Sequence, residues 1–387
     1  MLDFTFQNTT KIVFGRGQEE QVGVLSAGIS DTVLIVSSGS KIMQPLLERV
    51  RGFLKTANVT IYEVDGVKPN PEIDIVYRGV ELCKKHKIGL VLAVGGGSAI
   101  DTAKAIALGA CYEGDVWDIY LGKAQVTAAL PVATVLTISA AGSESSSGTV
   151  ITNPNDRLKL AAGSDLLRPA FSILNPELTA SVPPWHTFCG IVDIMSHAME
   201  RYFTGTGNVD LIDRMTEGLL VTCIRNARIL LDDPTNYDAR AEIMLAGAIA
   251  HNDLLGVGRE TDWATHWIGM AISAIYDTTH GATLSIITPA WMKHVLKEGI
   301  MRYAQFAMRV FGVEYDPEYP EITAREGIAR LEAFFAEIGC PTRLSQAGIL
   351  DRHHYPEMVD IYVRFGAKGS IKKLDESDAY AILALAE

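Results

Sequence analysis

The chain has 387 residues, too many for one small core, so two domains are expected. Hydrophobic residues make up 48% and charged ones 21%, a balance that excludes disorder. A net charge of −12 leaves no basic excess to neutralise phosphates or to meet an anionic membrane, so neither nucleic acid nor a membrane is expected as a partner.

The opening segment MLDFTFQNTTKIVFG lacks the basic start and continuous apolar core of a signal peptide, and no window approaches the roughly 18 uninterrupted apolar residues of a membrane span. Cys83, Cys111, Cys189, Cys223 and Cys340 are scattered, with no CxxC. That usage fits a reducing compartment and argues against disulfides or a thiolate metal site, so a cytoplasmic location is expected.

The first 175 or so residues alternate strand-like and helix-like segments. TVLIVSS (32–38) is β-branched and bounded by Gly39, and 41–56 follows as a helix with Ile42, Leu46, Leu47, Val50 and Leu54 on one side. VTIYEV (59–64) predicts a second strand, 72–87 a second helix, and IGLVLAV (88–94) a third strand that runs into glycines. Continuous apolar strands separated by amphipathic helices predict a parallel sheet covered on both faces.

LVLAVGGGSAIDTAKAIAL (90–108) is a strand, a glycine triplet and a helix. Gly95, Gly96 and Gly97 let backbone N–H groups approach a ligand closely, Ser98 stands where it would cap a helix beginning at Ala99, and that N-terminus attracts an anion such as pyrophosphate. GGGS is neither the G-x-G-x-x-G fingerprint nor a Walker A sequence, so a tight strand-to-helix turn is the alternative. VSSGSK (36–41) is a second candidate. Small hydroxylated residues and Lys41 stand where an NAD site commonly carries an acid, and they would tolerate a phosphorylated ribose. TISAAGSESSSG (137–148) either follows a nucleotide's edge or forms a surface loop.

NPELTASVPPWHT (175–187) carries Pro176, Pro183 and Pro184, which break regular structure and divide an α/β domain over 1–177 from a second domain over 178–387. Beyond the break come helical patterns at 187–203, 209–231, 238–255, 263–276, 297–312 and 322–338, with almost no strand-like run.

IVDIMSHAMERYF (191–203) places a lone acid four residues before a histidine in an apolar helical run. Residues i and i+4 share a helix face, so Asp193 and His197 can reach one ion, and carboxylate plus imidazole suits Fe²⁺, Zn²⁺ or Ni²⁺ better than Ca²⁺. The spacing recurs at Asp262 and His266; a satisfied side-chain hydrogen bond is the other reading of such pairs. His280 follows His266 by 14 residues, and Gly281 beside it would permit close packing. Helices that pack together could bring His197, His266 and His280 to one point with Asp193. His86, His294, His353 and His354 lie in charged surroundings and are expected on solvated surface, while His186 and His251 have no companion at metal spacing.

Together these segments resemble the iron-containing (group III) alcohol dehydrogenases, the butanol dehydrogenase branch most closely, through nearly the whole chain. The resemblance rests on KPNP (68–71), GGGSAID (95–101), AAGSE (140–144), NPELT…PP…GIVDIMSHAMERYF between 175 and 203, and DWATHWIG…HG between 262 and 281. It implies a Rossmann-like N-terminal α/β domain and an all-helical metal-binding domain, an architecture shared with dehydroquinate synthases. It implies Asp193, His197, His266 and His280 as the metal ligands on which catalysis depends, with Asp262 at most a partner of His266. Gly96, Gly97 and Ser98 would take the pyrophosphate, with Asp101, Asn70, Thr134, Thr137 and Lys159 as further nucleotide-side positions. Relatives that prefer NAD are similar but carry aspartate where this sequence has Ser38, followed by Gly39, Ser40 and Lys41, so NADPH is expected over NADH. The resemblance further implies Fe²⁺, with Zn²⁺ or Ni²⁺ as the other candidates, and a homodimer paired through N-terminal edge strands. The implied reaction is hydride transfer between NADPH and a small aldehyde, interconverting it with a primary alcohol, while the metal polarises the carbonyl and stabilises the alkoxide.

Three departures stand out. AAGSE replaces the usual GTGSE, so Ala141 lacks a hydroxyl; Ser146 stands where relatives often have asparagine; and Met270 occupies the position of a histidine often suggested to relay a proton, which a thioether cannot do. A lining from Phe188, Trp263 or Met270 would suit short uncharged aldehydes. Two alternatives share the architecture: a lyase of the dehydroquinate synthase type, whose polyanionic substrate calls for basic residues that GIVDIMSHAME and ATHWIGMAISAI lack, and a non-catalytic nucleotide-binding relative, against which stand all four ligand residues.

Overall fold

In a computed structural model, which describes residues 1–366 and 369–387, the chain forms two compact units, one of residues 7–182 and one of residues 1–6 with 183–387. In the first, six parallel strands form one sheet: β1 (Lys11–Phe14), β2 (Thr32–Val36), β3 (Thr60–Val64), β4 (Leu90–Gly95), β5 (Val132–Leu136) and β8 (Phe171–Leu174), in the order β1-β8-β5-β4-β2-β3. β6 (Gly148–Asn153) and β7 (Leu158–Gly163) pair separately as an antiparallel hairpin. No alternation in the sequence marks this hairpin, which follows the 137–148 segment.

The predicted strands and helices fall close to their expected places. Helix Gln44–Thr56 buries Leu46, Leu47, Val50 and Leu54 against a core containing Val33, Ile35, Leu90, Leu92 and Val94, whereas Ile42, expected on the same face, lies in the 3-10 turn before the helix and is exposed. β4 is buried along its whole length, as a central parallel strand covered on both sides must be. Strand order reverses between β2 and β4: β2 leads outward to β3, whereas β4 leads the other way to β5. Ligands of open α/β sheets bind outside the carboxyl ends of strands at such a switch point. The turns after β2 and β4 are those of VSSGSK and GGGS.

The second unit is helical. Its central element, helix Pro184–Tyr202, begins with proline at its first position, where the missing N–H costs nothing, and is buried from Thr187 through Tyr202. Around it pack helices Asp210–Asp232, Tyr237–Ala250 and His280–Val295, and helix Ala264–Tyr276 packs on the last of these. Helix His280–Val295 escaped the sequence reading because Gly281 and Pro289 interrupt a run that is apolar on every face, leaving no 3.6-residue period to detect. Among the described residues no helix is long and apolar enough to cross a membrane.

Candidate active site

On the nucleotide side, Gly96 is the N-cap of helix Gly97–Ala110, and no side chain caps it. Ser98 is therefore not the cap. The helix starts two residues earlier than Ala99, because the last glycine of the triplet already joins the first turn. The glycines are required by close approach: a β carbon at Gly97 would stand 2.9 Å from that of Ala141, and one at Gly96 would stand 3.1 Å from that of Ile138. The 137–148 segment thus packs against the triplet.

That segment is held from beneath by two charged residues of the same helix. The Asp101 carboxylate accepts from Ser143 Oγ at 2.6 Å and from Val150 N at 3.1 Å. Lys104, fully buried, donates to the carbonyls of Ser143, Ser146 and Gly148 at 2.7–2.9 Å and to Ser146 Oγ at 3.2 Å. Sequence reasoning missed Lys104, although a lysine three residues after Asp101 on an otherwise apolar helix is the signal. Asn70 accepts from Lys159 Nζ at 2.7 Å, and Thr152 N donates to the carbonyl of Pro71 at 2.8 Å, fastening the KPNP turn to the hairpin. Thr137 follows β5 directly, its N–H bonded to the carbonyl of Gly95. Thr134 sits inside β5 with no exposed surface. Ser38, Gly39 and Ser40 form the turn after β2, with Ser38 Oγ bonded to Ser40 Oγ at 3.1 Å and Gly39 at φ +64°.

In the helical unit, Asp193 and His197 lie one turn apart on helix Pro184–Tyr202, His266 on the first turn of helix Ala264–Tyr276, and His280 at the start of helix His280–Val295. Ligand atoms of Asp193, His266 and His280 all lie within 4.8 Å of one another. Asp193 Oδ1 is 3.5 Å from His197 Nδ1, 3.7 Å from His266 Nε2 and 3.9 Å from His280 Nε2. His197 joins this trio through its 3.5 Å approach to Asp193. Its ring lies tilted against that of His251, centroids 4.0 Å apart, a contact that no helical spacing reveals. Gly281 performs the expected service: a β carbon there would stand 2.0 Å from the carbonyl oxygen of Cys189, so only glycine lets His280 come this near Asp193.

These atoms are not hydrogen-bonded to each other, since 3.5–3.9 Å is too long. Asp193 Oδ1, His197 Nδ1 and His266 Nε2 are buried without any hydrogen-bond partner, which is costly unless something else binds them. A tetrahedral ion with ligand bonds of about 2.1 Å spaces its ligands about 3.4 Å apart, close to what these donors present. The donor set therefore fits a divalent cation. Burial, reinforced by the neighbouring His251 and His266, drives the His197 pKa far below 6.5 and keeps its imidazole neutral, the form that ligates metals.

His266 behaves differently because of Glu200, a residue the sequence reading passed over. Burial alone would lower the pKa of His266, but Asp193 and Glu200 together outweigh it and hold it above 6.5. The buried Glu200 carboxylate lies 2.9 Å from His266 Nδ1 and accepts from His266 N, Thr265 Oγ1 and Trp263 N at 2.5–3.0 Å. In the neutral ring, a proton kept on Nδ1 by that carboxylate leaves the lone pair on Nε2, the nitrogen 3.7 Å from Asp193 Oδ1. Glu200 also satisfies the free amides at the start of helix Ala264–Tyr276, where Trp263 takes the left-handed conformation at φ +66°. Its position seven residues after Asp193, on the same helix face, is the signal that could have exposed it. Asp262 does not touch His266. It accepts from the amides of Ala264, Ser370 and Ile371 instead. Nor is His294 solvated: it bonds Asp378 at 2.7 Å, half-buried. Met270 is buried one turn beyond His266.

A doubly wound sheet with a glycine turn at its switch point, joined in one chain to a helical unit with a buried carboxylate–imidazole cluster, defines a metal- and nicotinamide-dependent oxidoreductase. Residues 9–176 match the family profile of iron-containing alcohol dehydrogenase, and residues 187–386 match that of the Fe-containing alcohol dehydrogenase family, C-terminal. The chain belongs to the iron-containing alcohol dehydrogenase family and is an NAD(P)-dependent alcohol dehydrogenase. It is 44% identical over 384 residues to the probable NADH-dependent butanol dehydrogenase 1 of Bacillus subtilis, covering 99% of each chain. It is 33% identical over 352 residues to the NADPH-dependent aldehyde reductase YqhD of Escherichia coli, covering 90% of each. The crystal structure of NADH-dependent butanol dehydrogenase A from Thermotoga maritima superposes with a TM-score of 0.95 at 38% identity, over 100% of this chain and 99% of that one.

Proposed function

We propose that this enzyme interconverts small uncharged aldehydes and primary alcohols, with NADPH as the preferred dinucleotide and Fe²⁺ held by Asp193, His197, His266 and His280. The reading rests on one observation above all: Asp193 Oδ1, His197 Nδ1 and His266 Nε2 are buried without hydrogen-bond partners, the two ring nitrogens 3.5 and 3.7 Å from the carboxylate oxygen. When bound, the cation supplies a Lewis acid that polarises a carbonyl, and the dinucleotide supplies a hydride.

The chain's own residues do the rest. Glu200 fixes the tautomer of His266, and burial keeps His197 neutral, so both offer lone pairs. Trp263 meets the His266 ring in a T-shaped contact with centroids 5.2 Å apart, giving the centre an apolar border that favours an uncharged substrate. The buried thioether of Met270 carries no proton, so proton exchange falls to solvent water or a hydroxyl of the dinucleotide.

NADPH is supported by the absence of an acid from the turn at Ser38, Gly39 and Ser40, with Lys41 following. NADH is the second reading, favoured by the Asp65 carboxylate beside Gly39 and by the names of the Bacillus and Thermotoga relatives. A homodimer is supported by β1, an edge strand with exposed Ile12 and Phe14; a sizing experiment tests it. A cytoplasmic location is supported by five unpaired cysteines.

Metal analysis of protein purified without oxygen, followed by oxidation of NADPH and NADH with butanal, tests the proposal. Stoichiometric divalent metal and aldehyde-dependent oxidation are expected. Activity in a metal-free His266→Ala protein overturns the mechanism, and a clear preference for NADH overturns the dinucleotide assignment.

A further inference from the structure

We propose that Asp65 is a specificity-determining residue for the dinucleotide, accepting from the adenosine ribose hydroxyls of NADH and opposing the 2′-phosphate of NADPH; this rests on the nicotinamide-dependent reading above. In a doubly wound sheet the ribose is read from the turn after the strand next to the glycine turn. Here that strand is β2, next to β4, and its turn contains no acid of its own. The acid comes from the neighbouring strand in space. β3 ends one residue before Asp65, and Ser37 N to Val64 O, Gly66 N to Ser38 O and Val67 N to Ser37 O, at 3.1–3.3 Å, fasten the two turns together.

Gly39 makes the approach possible. A β carbon there would stand 2.8 Å from Cβ of Asp65 and 3.2 Å from its Oδ2, and the backbone lies at φ +64°, so no side chain separates the carboxylate from the turn. Asp65 is exposed, leaving its oxygens open to a ligand. Lys41, two residues past Gly39 and exposed, brings the opposite charge to the same turn, so discrimination is set by the balance of Lys41 and Asp65. A phosphate dianion held within hydrogen-bonding reach of that turn, at the dielectric of water, is disfavoured about tenfold by one carboxylate.

Dissociation constants of NADH and NADPH, read from the nucleotide's own fluorescence on the full-length protein and on Asp65→Asn and Asp65→Ser, test this. In both variants NADPH binding is expected to tighten about tenfold relative to NADH, with the gain shrinking as salt rises. A ratio of the two constants within about twofold of the wild type overturns the inference while leaving the dehydrogenase reading intact. A wild-type protein that binds neither nucleotide overturns both. Asp65→Asn preserves the size of the exposed side chain, so the test does not depend on the serine variant folding.

Discussion

Replacing Gly281 with alanine perturbs the cluster around Asp193 without removing any donor atom. The new β carbon would stand 2.0 Å from the carbonyl oxygen of Cys189 and 2.9 Å from its Cα. Carbon–oxygen contacts settle at about 3.3 Å, so the start of helix His280–Val295 must retreat from helix Pro184–Tyr202 by about 1.3 Å. His280 immediately precedes the substituted residue, and Asp193 lies one turn beyond Cys189. The separation of His280 Nε2 from Asp193 Oδ1, now 3.9 Å, would open to about 5 Å. Two ligands of an ion with bonds of about 2.1 Å can be no more than about 4.2 Å apart, so His280 would leave the set. Overpacking should cost about 2 kcal/mol of stability, leaving a folded protein. Competition against a chelator with metal analysis, beside a thermal melt, provides the assay. The expected result is metal affinity lower by about 100-fold in a cooperatively melting protein. Wild-type metal affinity in Gly281→Ala would refute the idea that this contact sets the position of His280.

Three further outcomes are expected. Asp193→Ala should abolish metal retention and turnover while the dissociation constant for dinucleotide, read by fluorescence, stays unchanged; loss of dinucleotide binding would show that the variant had unfolded or that the sites are wrongly assigned. Lys104→Met strips two buried carbonyls and one partly buried carbonyl of their donor and should cost about 3 kcal/mol in urea unfolding; a change under about 0.5 kcal/mol would contradict the clamp. The buried Glu144 carboxyl is pushed up to about 7 by desolvation. An acid whose pKa is raised on folding contributes stability fully present below its ordinary value of 4.5, and that contribution is lost as pH rises through about 7. Stability should therefore fall by about 3 kcal/mol across that window, and Glu144→Gln should flatten the slope of melting temperature against pH.

The amino-acid order alone carried whatever is local in this protein. Asp193 and His197 share a helix face because they are four residues apart, and GGGS after a continuous apolar strand marks a tight strand-to-helix turn before any fold is known. The alternation of β-branched runs with amphipathic helices likewise revealed the parallel sheet, since each period reflects one buried face. Tertiary structure decided what depends on elements meeting. His280 reaches Asp193 only because Gly281 admits the backbone of Cys189. Glu200, and not Asp262, orients His266, because the helices bring a residue 66 positions away nearer than one four positions away. His197 leans on His251, and Lys104 gathers the carbonyls of a loop some 40 residues downstream. A hydrogen bond or a steric approach is set by distance in space, and sequence separation reports that distance only within a single turn of helix or a single pair of strands.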